Sequence, residues 1–215
     1  MTKPLFDDEE EICNQTLGPD TAVLPGFALP AESTLLTDLE AIVVEAPFRH
    51  MVTPGGHEMS VAMSNCGHLG WVSDRKGYRY DQVDPLTQRP WPPMPDSFCD
   101  LAMRAAASAG FAEFRPDACL INRYVPGAKL SLHQDKNEKD FSNPIVSVSL
   151  GLPATFLFGG MDRSDKTNRI LVQHGDVVVW GATARLRYHG VLPLKPGYHP
   201  LFGEIRVNLT FRKAG

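Results

Sequence analysis

No apolar run in this chain approaches the roughly 20 residues needed to cross a bilayer, so no membrane attachment is expected. Cysteine is scarce. The four present, Cys13, Cys66, Cys99 and Cys119, show neither CxxC nor zinc-like spacing, which excludes a disulfide framework and leads us to expect reduced thiols. Nor is there any cationic excess: the net charge is −4 and the pI near 6. Domains that bind nucleic acid usually carry a basic footprint, so one here would have to be local. Three places offer it: Arg75, Lys76 and Arg79; Lys129 with Lys136; and Arg163 with Lys166 and Arg169. The opening residues, Met1 to Glu11, are acidic where a secretory signal would be cationic and then apolar, so a cytoplasmic protein is expected. Internal repeats and low-complexity tracts are also missing.

What is present suits one filled core, since 215 residues is long for one domain and short for two. We expect a single domain in three parts: an acidic lead-in over 1–19, helical support and a lid over 20–117, and a β core over 118–215. Ala31 to Ala46 reads as a helix, with Leu35, Leu36, Leu39, Ile42 and Val43 on one face and Pro47 just beyond its end. A second helix runs from Asp96 to Ala109, entered through Pro95 and stopped by Gly110. The stretch Phe48 to Pro93, rich in Gly, Pro, Met and aromatics, reads as the lid, with short strands at Glu58 to Ser64 and Gly77 to Tyr80. After Ala118 come short strands at turn-punctuated intervals: Ala118 to Val125, Ile145 to Leu152, Ala154 to Phe158, Arg169 to Gln173, Asp176 to Trp180, Arg185 to Val191 and Arg206 to Phe211. This spacing predicts a sandwich or jelly roll, mainly β with flanking helices (α+β).

Two strings far apart make chemical sense together. His133-Gln134-Asp135 on an extended segment puts its two ligating side chains on one face, because strand side chains repeat every two residues. His189, on the strand expected over Arg185 to Val191, would complete two imidazoles and one carboxylate. That is the facial triad that leaves open positions on non-heme Fe(II), and zinc with three protein ligands is the competing occupant. His174-Gly175-Asp176 has the same spacing but precedes Val177-Val178-Val179-Trp180 as a turn, and we read it as structural.

The second string alternates as a strand should. Arg206, Asn208, Thr210 and Arg212 share one face, and Val207, Leu209 and Phe211 the other. Two guanidiniums on one face suit a dicarboxylate, because their planar forks bind carboxylates bidentately and stay charged when desolvated. A solvated edge strand with its cations outward would look alike, apart from the amide of Asn208 between them.

Together, Asn122-Arg123-Tyr124, Leu130-Ser131-Leu132-His133-Gln134-Asp135, His189 and Arg206-x-Asn208-x-Thr210-Phe211-Arg212 closely resemble the bacterial AlkB family of Fe(II)- and 2-oxoglutarate-dependent nucleic-acid dealkylases. The likeness runs from about Pro47 to Arg212 and includes Asn65-Cys66-Gly67-His68-Leu69-Gly70-Trp71. It implies a double-stranded β-helix with Fe(II) on His133, Asp135 and His189, and 2-oxoglutarate and O2 as co-substrates. Arg206 and Tyr124 would take the distal carboxylate and Arg212 with Asn208 the end near the metal, with Asn122, Arg123 and Thr210 in the same set. The substrate implied is alkylated DNA, single- or double-stranded, or RNA, repaired by oxidative demethylation with release of aldehyde. Trp71 and His133 would sandwich the base, with Tyr78, Tyr80 and Arg163 at contact positions and Thr53, Met59, Met63, Ser131 and Lys136 as weaker ones.

One departure from the family pattern is expected to matter. Asn137 stands where close members carry an acidic residue, and a neutral amide both donates and accepts where a carboxylate only accepts. The same oxygenase chemistry could instead serve a protein side chain or a small metabolite, as the acidic pI would suit, or the cofactors could be mere structural ligands. Without heptads or a long apolar helix face, a monomer is expected.

Overall fold

The computed structural model describes residues 17–215. Cys13 and most of the acidic lead-in therefore lie outside the described residues. No helix among them is long and apolar enough to cross a membrane.

Two sheets face each other. The larger contains β1 (Thr21–Leu24), β2 (Arg49–Val52), β3 (Glu58–Gly67), β6 (Ala118–Tyr124), β8 (Ile145–Gly151), β11 (Val177–Trp180) and β13 (Arg206–Arg212), in the order β1-β11-β8-β13-β6-β3-β2. The smaller has β7 (Leu130–His133), β9 (Ala154–Phe158), β10 (Asn168–Val172) and β12 (His189–Val191), in the order β10-β9-β12-β7. A separate hairpin pairs β4 (Gly70–Asp74) with β5 (Gly77–Asp81). All pairings are antiparallel, and the crossovers between the sheets give the jelly roll.

The helices form where the apolar spacing requires. Helix α1 (Glu32–Glu45) buries Leu35, Leu39 and Ile42, while α2 (Asp96–Ser108) buries Phe98, Leu101, Ala102, Ala105 and Ala106. Helix α2 starts at Pro95, whose extended backbone suits a helix entry, and stops before Gly110, whose φ of +91° is easy for glycine. Both helices cover the outer face of the large sheet, where Val207, Leu209 and Phe211 of β13 meet them. Phe98 and Phe211 pack edge to face at 5.9 Å, an arrangement that adds roughly 0.5–1.5 kcal/mol to the burial itself.

The inner face of the same sheet looks across to the small sheet through Met63, Leu120, Tyr124, Val178 and Trp180 on one side and Phe156, Phe158 and Val191 on the other. Strand β13 thus divides a hydrocarbon face from a polar one, and all seven of its residues are buried. It is the middle strand of the sheet, between β8 and β6, not a solvated edge.

Two expectations need correcting. The Phe48 to Pro93 stretch is not all lid, because β2 and β3 extend the large sheet and only β4 and β5 stand apart. The physical reason is the run Val61 to Cys66, buried on both faces as interior strands are. Arg185 to Val191 is not one strand either. A 3-10 turn at Ala182–Ala184 ends at Arg185, and pairing begins only at His189.

Candidate metal centre

Strands β7 and β12 pair so that His133 lies directly opposite His189, with ring centroids 4.4 Å apart. Asp135, just past the end of β7, brings Oδ1 to 3.7 Å from His133 Nε2 and Oδ2 to 3.7 Å from His189 Nε2. The three ligand atoms lie within 4.8 Å of one another. Each ring is oriented by its other nitrogen: Nδ1 of His133 lies 2.9 Å from the Ser131 carbonyl, and that of His189 lies 3.0 Å from Arg187's. A carbonyl can only accept, so each Nδ1 carries the proton and each Nε2 presents a lone pair inward, as metal-binding histidines do.

Electrostatics agree. Burial, with His189 beside it, lowers the His133 pKa to about 4, so its ring is neutral at physiological pH. Burial alone would push Asp135 up, but the Arg212 guanidinium outweighs it and holds the carboxyl well below the usual range. Arg212 donates from Nη2 and Nε to the same Asp135 oxygen, at 2.6 and 3.0 Å. Two imidazoles and a carboxylate, without thiolate, fit non-heme iron.

Beside the triad, the inner faces of β13 and β6 form a cationic floor. Arg206, 2% exposed, spends one N–H on Ser149 Oγ at 2.9 Å, while its Nε and Nη1 have no partner. Its guanidinium lies 4.9 Å over the Tyr124 ring, and the side-chain amide oxygen of Asn122, Oδ1, is also unpartnered. A buried cation with two unused donors is costly unless an anion joins it, and a carboxylate matches this fork. Asn208 and Thr210 share the face but are committed within the protein. Asn208 donates to Ser147 Oγ and the Val148 carbonyl, at 2.8 and 2.9 Å, and accepts from Thr210 at 2.8 Å. Arg123 departs from the expectation. Strand alternation sends it to the opposite face of β6, where its guanidinium lies 4.7 Å over Phe48, away from the co-substrate floor.

The mouth is framed by the hairpin. Trp71 and Tyr78 stack at 5.6 Å with their planes 16° apart, and Tyr78 is 45% exposed. Asn65 holds the Trp71 backbone with a reciprocal pair of bonds at 2.9 and 3.0 Å. The Trp71 indole N–H donates to Asn137 Oδ1 at 3.3 Å, and the Tyr80 hydroxyl donates to Glu138 Oε1 at 2.6 Å. Arg163 is exposed on the loop between β9 and β10, which is fastened to the residue before His189 by Gly159 N–H to the Tyr188 carbonyl at 2.7 Å and Tyr188 N–H to Gly160's at 2.9 Å. Arg79 is not a free cation, since Asp74 takes it with two bonds at 3.0 and 3.1 Å. Met51 and Met63 are core, and Thr53 closes the turn between β2 and β3. The Thr53 hydroxyl accepts the His57 N–H at 3.1 Å.

Sequence reasoning passed over Glu138 and Arg185, whose side chains are 1% and 2% exposed and paired at 3.0 Å beside the triad. The one local signal of Glu138 is charge just after the HxD string, and that of Arg185 is its place shortly before His189. His174-Gly175-Asp176 is structural, as read. His174 accepts the Gly151 N–H and meets Glu32, and Asp176 accepts from Gly26 and Gln173.

The chain matches the 2OG-Fe(II) oxygenase superfamily over residues 20–212. It is 58% identical over 211 residues to the alpha-ketoglutarate-dependent dioxygenase AlkB of Escherichia coli (strain K12), covering 98% of this chain and 97% of that one. The nucleic acid dioxygenase ALKBH1 of Homo sapiens is 31% identical over 128 residues, 60% of this chain and 33% of that protein. Among solved structures, one titled "The structure of OsALKBH1" superposes with a TM-score of 0.81 at 28% identity, covering 93% of this chain and 99% of that one. A match over nearly the full length of both chains decides the matter: this protein belongs to the AlkB family of the 2OG-Fe(II) oxygenase superfamily and is a dioxygenase that uses Fe(II), 2-oxoglutarate and O2.

Proposed function

We propose that this dioxygenase removes alkyl groups oxidatively from N-alkylated bases, such as 1-methyladenine and 3-methylcytosine, in DNA or RNA. The observation that carries this reading is the stacked Trp71–Tyr78 pair on a hairpin bonded to the HxD loop itself. A base must leave its stack to reach a buried centre, and flipped bases are held between aromatic or apolar faces. Trp71 would supply one face and His133 the other, with Tyr78 and Arg163 meeting the strand on either side.

His133, Asp135 and His189 would hold the iron, which when bound supplies the oxidation coupling decarboxylation of 2-oxoglutarate to hydroxylation of the alkyl carbon. The chain's own residues bind, orient and exclude water. Arg206 and Tyr124 would receive the distal carboxylate and Asn122 lies on the same wall, while Arg212 neutralises charge at the metal end and Asn208 with Thr210 keeps the floor rigid. The hydroxylated alkyl group then leaves the base nitrogen as an aldehyde, restoring the N–H or lone pair.

The test is anaerobic reconstitution with Fe(II) and 2-oxoglutarate, then admission of oxygen in the presence of oligonucleotides carrying 1-methyladenine, 3-methylcytosine or 1-methylguanine. Loss of the methyl group, followed by mass, should require both cofactors. Succinate without any change in mass would discard the nucleic-acid substrate and favour a protein side chain or small metabolite.

Asn137 is the second testable point. With its oxygen engaged by Trp71, it offers neutral amide N–H groups where a carboxylate would offset a cationic lesion. Hydrogen bonds to charged groups contribute roughly 1.5–3 kcal/mol. Asn137→Asp is therefore expected to raise the preference for 1-methyladenine over 1-methylguanine by about tenfold or more, read as a ratio of kcat/KM. An unchanged ratio would remove Asn137 from the base pocket.

A further inference from the structure

Glu138 is a carboxylate with no assigned task in the chemistry above, yet three groups, Tyr80, Arg185 and Arg212, converge on it or on its neighbour Asp135. Its side chain is 1% exposed. Oε1 accepts the Tyr80 hydroxyl at 2.6 Å and lies 3.5 Å from Arg212 Nε, while Oε2 pairs with Arg185 at 3.0 Å. Arg185 is itself fixed, donating to the Asp135 carbonyl at 2.8 Å and the Asn143 carbonyl at 3.1 Å. Arg212 in turn holds the Asp135 carboxylate. Burying this many charges is a poor way to stabilise a fold, because desolvation cancels much of the Coulombic gain, and such groups are better explained by the geometry they impose.

The geometry links two places. On the side away from the iron site, the β4–β5 hairpin is fastened by Ser73 to the Val52 carbonyl at 2.6 Å and by Trp91 to the Asp81 carbonyl at 3.0 Å. On the side facing the site, its side chains bond Asn137 through Trp71 at 3.3 Å and Glu138 through Tyr80 at 2.6 Å, the second being short and charge-assisted. A two-stranded hairpin is marginal by itself, so such a bond can decide its tilt. We propose that Glu138 is a positioning residue for two sites at once: it steadies Arg212 against the Asp135 carboxylate and, through Tyr80, sets the hairpin that carries Trp71 and Tyr78. Its bearing on the base rests on the function proposed above, while its bearing on the hairpin does not.

Three proteins test this: Tyr80→Phe, Glu138→Gln and the double variant. Hydrogen exchange on the metal-free proteins should show the β4–β5 amides about tenfold faster in Tyr80→Phe, as loss of a bond to a charged group implies, with β6 and β13 unchanged. Glu138→Gln should match that increase and the double variant should not exceed it, since both substitutions break one link. The affinity for 2-oxoglutarate, measured with redox-silent Mn(II), should fall about tenfold in Glu138→Gln and less than twofold in Tyr80→Phe. Unchanged hairpin exchange in Tyr80→Phe, additive effects in the double variant, or full co-substrate affinity in Glu138→Gln would each overturn the proposal. Should Glu138→Gln fail to fold, Glu138→Asp, with the charge on a shorter arm, carries the same expectations. With an alkylated oligonucleotide, Tyr80→Phe should raise KM more than it lowers kcat. If the wild type ignores oligonucleotides, the substrate reading fails, and exchange and affinity still decide the role of Glu138.

Discussion

His133→Ala and Asp135→Asn are both expected to cut 2-oxoglutarate consumption by a factor on the order of 10³ or more, well beyond the roughly 10- to 100-fold lost with an outer-shell partner. Only the second should lower the melting temperature. His133 has a side chain 33% exposed and a single backbone bond, so truncating it leaves no buried charge. Asp135 is the principal counter-ion of Arg212, whose side chain is 6% exposed. Removing one member of a buried pair costs roughly 3–5 kcal/mol. The lower end applies here, because Glu138 remains 3.5 Å from Arg212. For a chain of this size the fall should be about 10 °C, at roughly 2–4 °C per kcal/mol. Thermal denaturation of the metal-free proteins, run beside a decarboxylation assay, reads both effects. Turnover surviving in His133→Ala would remove that residue from the metal set, and equal melting shifts in the two variants would remove Asp135 as the principal counter-ion of Arg212.

Arg206→Met is expected to move function and stability in opposite directions. Without a ligand, the guanidinium is buried with two donors unsatisfied, and burial lowers its pKa from the ordinary arginine value. An apolar side chain of similar length removes that desolvation cost, and exchanging buried charge for packed hydrocarbon is often stabilising by about 1–4 kcal/mol. The co-substrate meanwhile loses its bidentate partner. If that contact is worth the roughly 3–5 kcal/mol of a buried charged pair, the KM for 2-oxoglutarate rises about 10²-fold or more, at tenfold per 1.4 kcal/mol. The expected result is a variant that melts higher when ligand-free and barely gains from added 2-oxoglutarate. A variant that melts lower, or that keeps a wild-type KM, would mean that the distal carboxylate binds elsewhere.

Much of this was legible in the sequence wherever a period carried the information. The alternation of β13 put its arginines on one face and Phe211 on the other, and burial follows it. The two-residue step from His133 to Asp135 survived although Asp135 lies beyond the strand, for its carboxylate still converges with both imidazoles. Where period was lacking, the sequence was silent or misleading. Arg185-Leu186-Arg187-Tyr188 alternates like a strand but forms the end of a 3-10 turn and the loop after it, held by Gln134 donating to the Leu186 carbonyl at 2.6 Å. Glu138 follows a lysine and an asparagine, and nothing local reveals that Arg185, distant in sequence, closes over it. Arg123 was grouped with Asn122 and Tyr124 by adjacency, whereas the pleat separates it from both.

The place of β13 also bears on how the chain reaches its native state. The strand last in order is the one in the middle, and it joins residues as far apart as Ala118 and Arg212, 94 positions away. During synthesis, β6 and β8 each wait with an open, strand-pairing edge until residue 212 has left the ribosome. At ~5–20 residues per second that interval is on the order of several seconds after β8 is complete. Unpaired edges invite the wrong partner, so this chain should lean on chaperones at birth and fold slowly for its size, its many distant pairings closing only once the central strand is threaded between its neighbours.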